Sequence, residues 1–390
     1  MKGKVYYGEY SIGHWLDLLV SGNLKLPDYQ RRFVWEKDQV LKFIKSINNN
    51  EFIPPVTLGY YDNNTNYILD GQQRLTSLLL AYLSIYPKKE AFKEIENYNL
   101  FEDDTSLDDF DDEVEQKVID WQFNILTEKD ISKEDLRTSM QGNPSYEAMA
   151  TDISKNLDTV YLGFSYIIPD SSENKNICYC SIFRNINMTG TALLVQESRR
   201  ALYFLDNNKR PLFDNNYLGK FTIKNSQKTL GVDFIRYLAL GSQFHKDGNF
   251  DSLMKGYEKK QKNEEYYLEY ITESIDESKS NIFPKFSDIF KEGDFKTQLD
   301  HLKILVEAIN YKIEYKSIIE VDLVFFGLIY CTFIDNKFLD ISKQGDLLQD
   351  IDSAFNEINK NASHKKRPNQ LSFLRERLQK SLNIYHKYIK

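Results

Sequence analysis

Apolar residues recur at helical spacing through Ile12, Trp15, Leu16 and Leu19, with Ser11 able to cap the start and Gly22 to stop the run, which predicts a first helix. Leu24-Lys25-Leu26-Pro27 then alternates apolar with polar and ends at a proline that forbids helix, the pattern of a short extended piece. Val40, Phe43, Ile44 and Ile47 share one face of a second helix. After Pro54-Pro55 the run Val56 to Tyr61 is β-branched and aromatic, Asp62 to Asn66 has turn composition, and Tyr67-Ile68-Leu69 returns as a strand, so a hairpin is expected. That hairpin ends at Asp70-Gly71-Gln72-Gln73-Arg74, beyond which Leu75, Leu78, Leu79 and Tyr82 mark a helix: strand, glycine turn, helix.

Residues 181–205 form another ordered unit, with Ile182 to Asn187, a turn at Met188-Thr189-Gly190, and a helix from Thr191 to Leu205 that carries Glu197, Arg199 and Arg200. Beyond the loop at Asp206 to Pro211 the pattern is overwhelmingly helical, without a solenoid period. The expected division is therefore 1–205 as an α+β domain with a small mixed sheet, and 206–390 as a mainly α-helical domain. Ile318 to Phe333 is the richest apolar window, shorter than the roughly 20 residues that cross a bilayer and interrupted by Glu320 and Asp322, so it reads as a buried helix.

The chain has 390 residues, 41% of them hydrophobic, with 26 Tyr and 25 Phe, which is the composition of a folded protein and not of a disordered one. A net charge of −8 excludes a surface that is basic all over, so any nucleic-acid contact must be local. Three cysteines (Cys178, Cys180, Cys331) cannot build a disulfide framework, and the early residues lack a signal-peptide core; a reducing, cytoplasmic setting without membrane contact is expected. Nine acids between Glu102 and Glu115 with no base among them read as a solvated loop or edge, since consecutive carboxylates without a scaffold define no metal geometry.

Chemistry concentrates at residues 70–74. A glycine between strand and helix turns the chain without Cβ penalty and leaves the first helical amides pointing outward, an anion site. The amides of Gln72 to Arg74 could hold phosphate oxygens, the Arg74 guanidinium could clamp one bidentately, Asp70 could hold Mg²⁺ or cap the helix, and Gln72 or Gln73 could orient a water. A second cationic loop, Gln30-Arg31-Arg32, could converge on the same polyanion, or its arginines could be exposed or stack on Tyr29 and Trp35.

Leu26-Pro-Asp-Tyr-Gln-Arg-Arg-Phe-Val-Trp35, Pro55-Val-Thr-Leu-Gly59, Tyr67-Ile-Leu-Asp-Gly-Gln-Gln-Arg-Leu-Thr-Ser-Leu78 and Phe183-Arg-Asn-Ile-Asn-Met-Thr-Gly-Thr-Ala-Leu193 with Glu197 resemble, in order, the motifs of the N-terminal domain of GmrSD-type restriction endonucleases over residues 10–205. The resemblance implies a ParB-like α+β core that binds, and in some members hydrolyses, a nucleoside triphosphate with Mg²⁺, in bacterial defence against phage or modified DNA. It implies Asp70, Gly71, Gln72, Gln73 and Arg74 as the signature, with Asp70, Gln72, Gln73 and Arg74 catalytic, Tyr29, Gln30 and Arg31 as the upstream loop, and Asn187, Gly190 and Glu197 as the third motif. DNA, a separate effector or nuclease subunit, and a second copy of the chain are the partners it brings into view.

The nuclease domain that accompanies this family needs clustered histidines, whereas His14, His245, His301, His364 and His386 lie far apart in sequence, so cutting chemistry within this chain is not expected; no metal ligands are assigned. From Lys360 to Lys390 nine Lys/Arg face one acid, Glu376. Lys365, Lys366, Arg367, Arg375, Arg377 and Lys380 on this tail could lie along DNA phosphates, or the tail could close on the acidic body of its own chain. The alternatives to an NTPase are therefore a DNA-binding module that hydrolyses nothing, and an endonuclease with an unrecognised site.

Overall fold

The computed structural model describes residues 3–27, 30, 32–62, 65–93, 119–127, 132–151, 153, 156–170, 175, 178–179, 182, 199, 202–206, 208–213, 217–224, 229–257, 263–277, 280–291 and 294–390. It is a mixed α+β protein in two compact units, the described residues up to 205 and those from 206 to 390. Among the described residues no helix is long and apolar enough to cross a membrane.

The first unit is built on a five-stranded mixed sheet in the order β1 (Gly3–Ser11), β7 (Tyr161–Pro169), β3 (Val56–Asp62), β4 (Thr65–Asp70), β2 (Leu24–Lys25). β3 and β4 are the expected antiparallel hairpin, whereas β7 pairs antiparallel with β1 and parallel with β3. Between β1 and β2 lies α1 (Ile12–Val20), capped by the Ser11 hydroxyl, which accepts from His14 N at 3.3 Å. Its Trp15 is fully buried and donates Nε1–H to the Leu162 carbonyl at 3.1 Å, tying the helix to β7. α2 (Lys37–Asn48) buries Val40, Ile44 and Ile47. α3 (Gln72–Leu83) is buried on every side except at Arg74, so it is the central helix of the unit. A two-stranded ribbon of β5 (Ile85–Pro87) and β6 (Tyr146–Ala148) follows it.

The second unit is mainly helical, with one three-stranded sheet. Its axis is the helix Ile318–Ile329, buried at every residue and continued by a π-helical turn over Tyr330–Ile334. Against it packs the helix Leu371–His386, at a point where Gly327 N–H donates to Ser381 Oγ (2.8 Å) and that hydroxyl donates to the Leu323 carbonyl (2.8 Å). The serine thus touches both ends of one rung of the helical ladder, and the close approach requires glycine at 327 because a Cβ there would run into Tyr385 and the Ser381 carbonyl. Tyr266, Tyr267, Tyr311 and Tyr315, at helical spacing in the sequence, are core residues.

Asp322, fully buried, is held by two arginines: Arg236, which is 2% exposed, and Arg377, which is fully buried and donates Nε (3.0 Å) and Nη2 (2.7 Å) to Oδ2. Tyr237 Oη donates to Oδ1 at 2.9 Å. Burial alone would raise the Asp322 carboxyl, but Arg236 and Arg377 outweigh it and hold it below the usual carboxylate range. The expectation that Arg377 contacts DNA is thereby corrected: its charge is consumed inside the unit by an acid 55 positions upstream. Arg375 is likewise turned inward, donating from Nε (3.1 Å) and Nη2 (2.6 Å) to the Leu253 carbonyl. Lys380 pairs with Glu357, Lys387 with Asp350 and Lys390 with Asp340, so with Arg377 four of the nine cations of the basic tail close on acids of their own unit. Lys365, Lys366 and Arg367 remain exposed.

Candidate functional site

The strand-to-helix junction at residues 70–74 is built by a bulge. β3 and β4 shift register between Thr57 and Leu58, leaving Thr57 opposite Asp70 and bringing Val56 against the next residue, Gly71. Gly71 sits at φ 91°, ψ 10°, in the left-handed region, and a Cβ there would stand 3.0 Å from Val56 Cγ2 and 3.2 Å from Arg74 Nη2. Both the backbone and the space require glycine. Gly71 is also the N-cap of α3 and brings no side chain to cap it, so the first amides of a twelve-residue helix have neither an intrahelical acceptor nor a capping oxygen.

Around that helix end the five motif side chains take different roles. Arg74 donates Nη2 to Asp70 Oδ2 at 2.5 Å and Nη1 to the Pro54 carbonyl, with the arginine side chain 12% and the aspartate 34% exposed. Two of five guanidinium donors are thereby engaged, which fixes the plane of the group and leaves the others for a ligand. Gln73 is a staple: its Oε1 accepts from Val34 N (3.0 Å) and Trp35 N (3.3 Å), and its Nε2 donates to the Arg32 carbonyl (3.0 Å). The expected water-orienting role of Gln73 is corrected on that ground, because its carbonyl oxygen has both lone pairs filled by the backbone it supports. Gln72 is the opposite case. Its side chain is buried, the residue being 4% exposed, and neither Oε1 nor Nε2 has a hydrogen-bond partner among the described residues. Thr76, one turn on along the same face and fully buried, has an unpartnered hydroxyl as well.

The upstream loop is joined to this corner through Gln30, whose Nε2 donates to the carbonyls of Ile68 (3.1 Å) and Leu69 (2.9 Å), the residues leading into Asp70. Gln30 therefore holds the end of β4 through its amide nitrogen. Arg32 neither stacks on Trp35 nor turns to the corner; it pairs with Asp120 at 2.8 Å. Tyr29, Arg31, Asn187, Gly190 and Glu197 lie outside the described residues. Among the described residues no three His, Cys, Asp or Glu side chains gather to hold a metal. Asp70 offers one carboxylate with Oδ1 outside its ion pair to Arg74, which fits Mg²⁺ of the kind bound by a single carboxylate and the substrate's own phosphates. The Pro54 carbonyl and the amides of Val34 and Trp35 went unnoticed in the sequence, because backbone atoms leave no residue signature.

The family described as the GmrSD restriction endonuclease, N-terminal domain, matches residues 12–204. An uncharacterized protein of Methanocaldococcus jannaschii is 36% identical over 121 residues, which cover 24% of this chain and 20% of that one. The chain thus spans about a fifth of the length of the curated relative it matches. No solved structure matches the chain.

Proposed function

Since residues 12–204 belong to the family of GmrSD restriction endonuclease N-terminal domains, we propose that this chain is the nucleoside-triphosphate-binding and -hydrolysing module of a bacterial antiphage restriction system acting on DNA, its first unit a ParB-related core. The observation that carries the reading is Gln72: a carboxamide with both ends unpartnered in burial, beside an uncapped helix N-terminus. Leaving such groups unpaired costs about 1–3 kcal/mol each, and a ligand that supplies a donor and an acceptor removes that cost.

In this mechanism the amides of Gln72, Gln73 and Arg74 and the positive end of α3 take the terminal phosphate oxygens. Arg74, its plane set by Asp70 and Pro54, neutralises charge that develops on the transferred phosphoryl group, where positioning and electrostatics supply most of the acceleration. Gln72 orients the attacking water. Bound Mg²⁺ would supply further charge neutralisation, with Asp70 as its protein ligand. Gly71 keeps the backbone close enough for these contacts, and Gln73 and Gln30 hold the two loops that shape the corner. DNA, a separate effector or nuclease subunit and a second copy of the chain are the proposed partners, with Lys365, Lys366 and Arg367 the exposed cations of the tail open to phosphate.

The test is titration of the four nucleoside triphosphates, with phosphate release measured with and without DNA, for the wild type and Arg74→Ala. Binding by the wild type and a loss of at least tenfold in affinity and a hundredfold in turnover in the variant are expected. Equal binding and turnover in the two proteins would rule the proposal out, and binding of DNA by a wild type indifferent to every nucleotide would favour a non-hydrolysing DNA module.

A further inference from the structure

At 88% exposure, Phe52 is the most exposed large apolar residue among those described. A lone exposed hydrophobe needs no explanation; its mounting does. On one side, Glu51 is pinned: its carboxylate accepts from Ser46 Oγ (2.6 Å) and Asn49 Nδ2 (3.0 Å), and its backbone N–H donates to the Ser46 carbonyl at 2.9 Å. Asn50 holds the left-handed conformation that brings the chain around, at φ 54°. On the other side, Ile53 packs against the core of the unit, and Pro54-Pro55 has fixed φ angles. The backbone at Phe52 is therefore restrained from both directions while the ring stands in water, which is the arrangement of a pre-organised contact surface.

The mounting is also continuous with the helix corner. Pro54, two residues on, gives its carbonyl to Arg74, and Val56 touches the position of Gly71. Two residues of chain reach at most about 7 Å, so the backbone of Phe52 lies within about 7 Å of Pro54, the residue whose carbonyl fixes the Arg74 guanidinium. We propose that Phe52 is the stacking platform for the base of the nucleoside triphosphate whose phosphates sit at the N-terminus of α3. This inference rests on the reading of that corner as a phosphate site. Every base has a π-face, so a platform of this kind accepts all four bases, purines more strongly than pyrimidines by their larger stacking area.

The experiment is calorimetric titration of the wild type, Phe52→Ala and Phe52→Trp with ATP, GTP, CTP, UTP and inorganic tripolyphosphate, all with Mg²⁺. Stacking on one aromatic ring corresponds to roughly 5- to 150-fold in affinity. Phe52→Ala is expected to weaken each nucleotide about tenfold, with unchanged tripolyphosphate binding, and Phe52→Trp to restore nucleotide affinity with quenching of the added indole. Equal nucleotide affinity in Phe52→Ala and wild type would overturn the inference, as would a parallel loss for tripolyphosphate, which would mean a distorted corner and no stacking. A wild type that binds tripolyphosphate and nucleotides equally well also refutes the platform while keeping the phosphate site; a wild type that binds neither refutes both.

Discussion

Asp322→Ala is expected to unfold the helical unit or lower its stability by about 3–5 kcal/mol, because it leaves two buried arginines facing each other without the acid that joins them. The three tryptophans, Trp15, Trp35 and Trp121, all lie in the first unit, so in urea unfolding followed by far-UV circular dichroism the share of the helical transition due to the second unit should vanish or move to lower urea, while tryptophan fluorescence keeps its midpoint. Replacing Arg236, Asp322 and Arg377 together by Met, Leu and Met should recover much of the loss, since apolar side chains of similar volume need no counter-charge. An Asp322→Ala protein with wild-type unfolding would show that the cluster contributes nothing to stability.

The same cluster sets an acid limit. His364, fully buried and stacked on Phe373 at 4.5 Å, has its Nε2 3.1 Å from Arg377 Nη1; arginine can only donate, so this nitrogen accepts and the ring is neutral. Burial, then the charge on Arg377, push its pKa down to about 4. The unfolded chain therefore takes up a proton at this residue near its ordinary value of about 6.5, and the folded protein only near 4. Stability from this residue is complete above about pH 6.5 and is lost as the pH falls toward about 4. Asp322, held low, adds stability that persists above the ordinary carboxyl range and disappears as the pH falls further, through its depressed folded value.

What the sequence made legible was local. Ser11, Gly22, Pro27, Pro54-Pro55 and Gly71 each act through the backbone of their own neighbourhood, and the helices and hairpin they delimit are those of the structure. What it hid was long-range pairing. β1 goes unmarked in a short Tyr- and Gly-rich run because its partner, β7, is about 150 residues downstream, and β1 itself is exposed along its first seven residues. Arg377 looked like one more cation of a basic tail for the same reason: its acid lies in an apolar helix whose charge was visible only as an interruption. The motif at 70–74 was legible as a site, but the division of labour between its two glutamines was not, because it depends on which way each side chain leaves α3.

That division yields the sharpest contrast expected from adjacent, chemically identical residues. Gln73→Ala removes three hydrogen bonds to the backbone of residues 32–35, leaving part-buried amides and a carbonyl unpaired, and should lower the tryptophan-monitored stability of the first unit by about 3 kcal/mol. Gln72→Ala removes a carboxamide that satisfies nothing in the described protein, so stability should be unchanged or raised by about 1 kcal/mol. Turnover should reverse the order. Gln72→Ala should lose at least about a hundredfold in triphosphate hydrolysis while remaining folded, the size of effect seen when a group acting on developing charge is deleted. Gln73→Ala should lose less per folded molecule, and its loss should shrink as temperature is lowered from its unfolding midpoint. If Gln72→Ala destabilises the unit as much as Gln73→Ala does, its carboxamide is a structural group with partners in the folded protein, and the central argument for a ligand at the head of α3 fails.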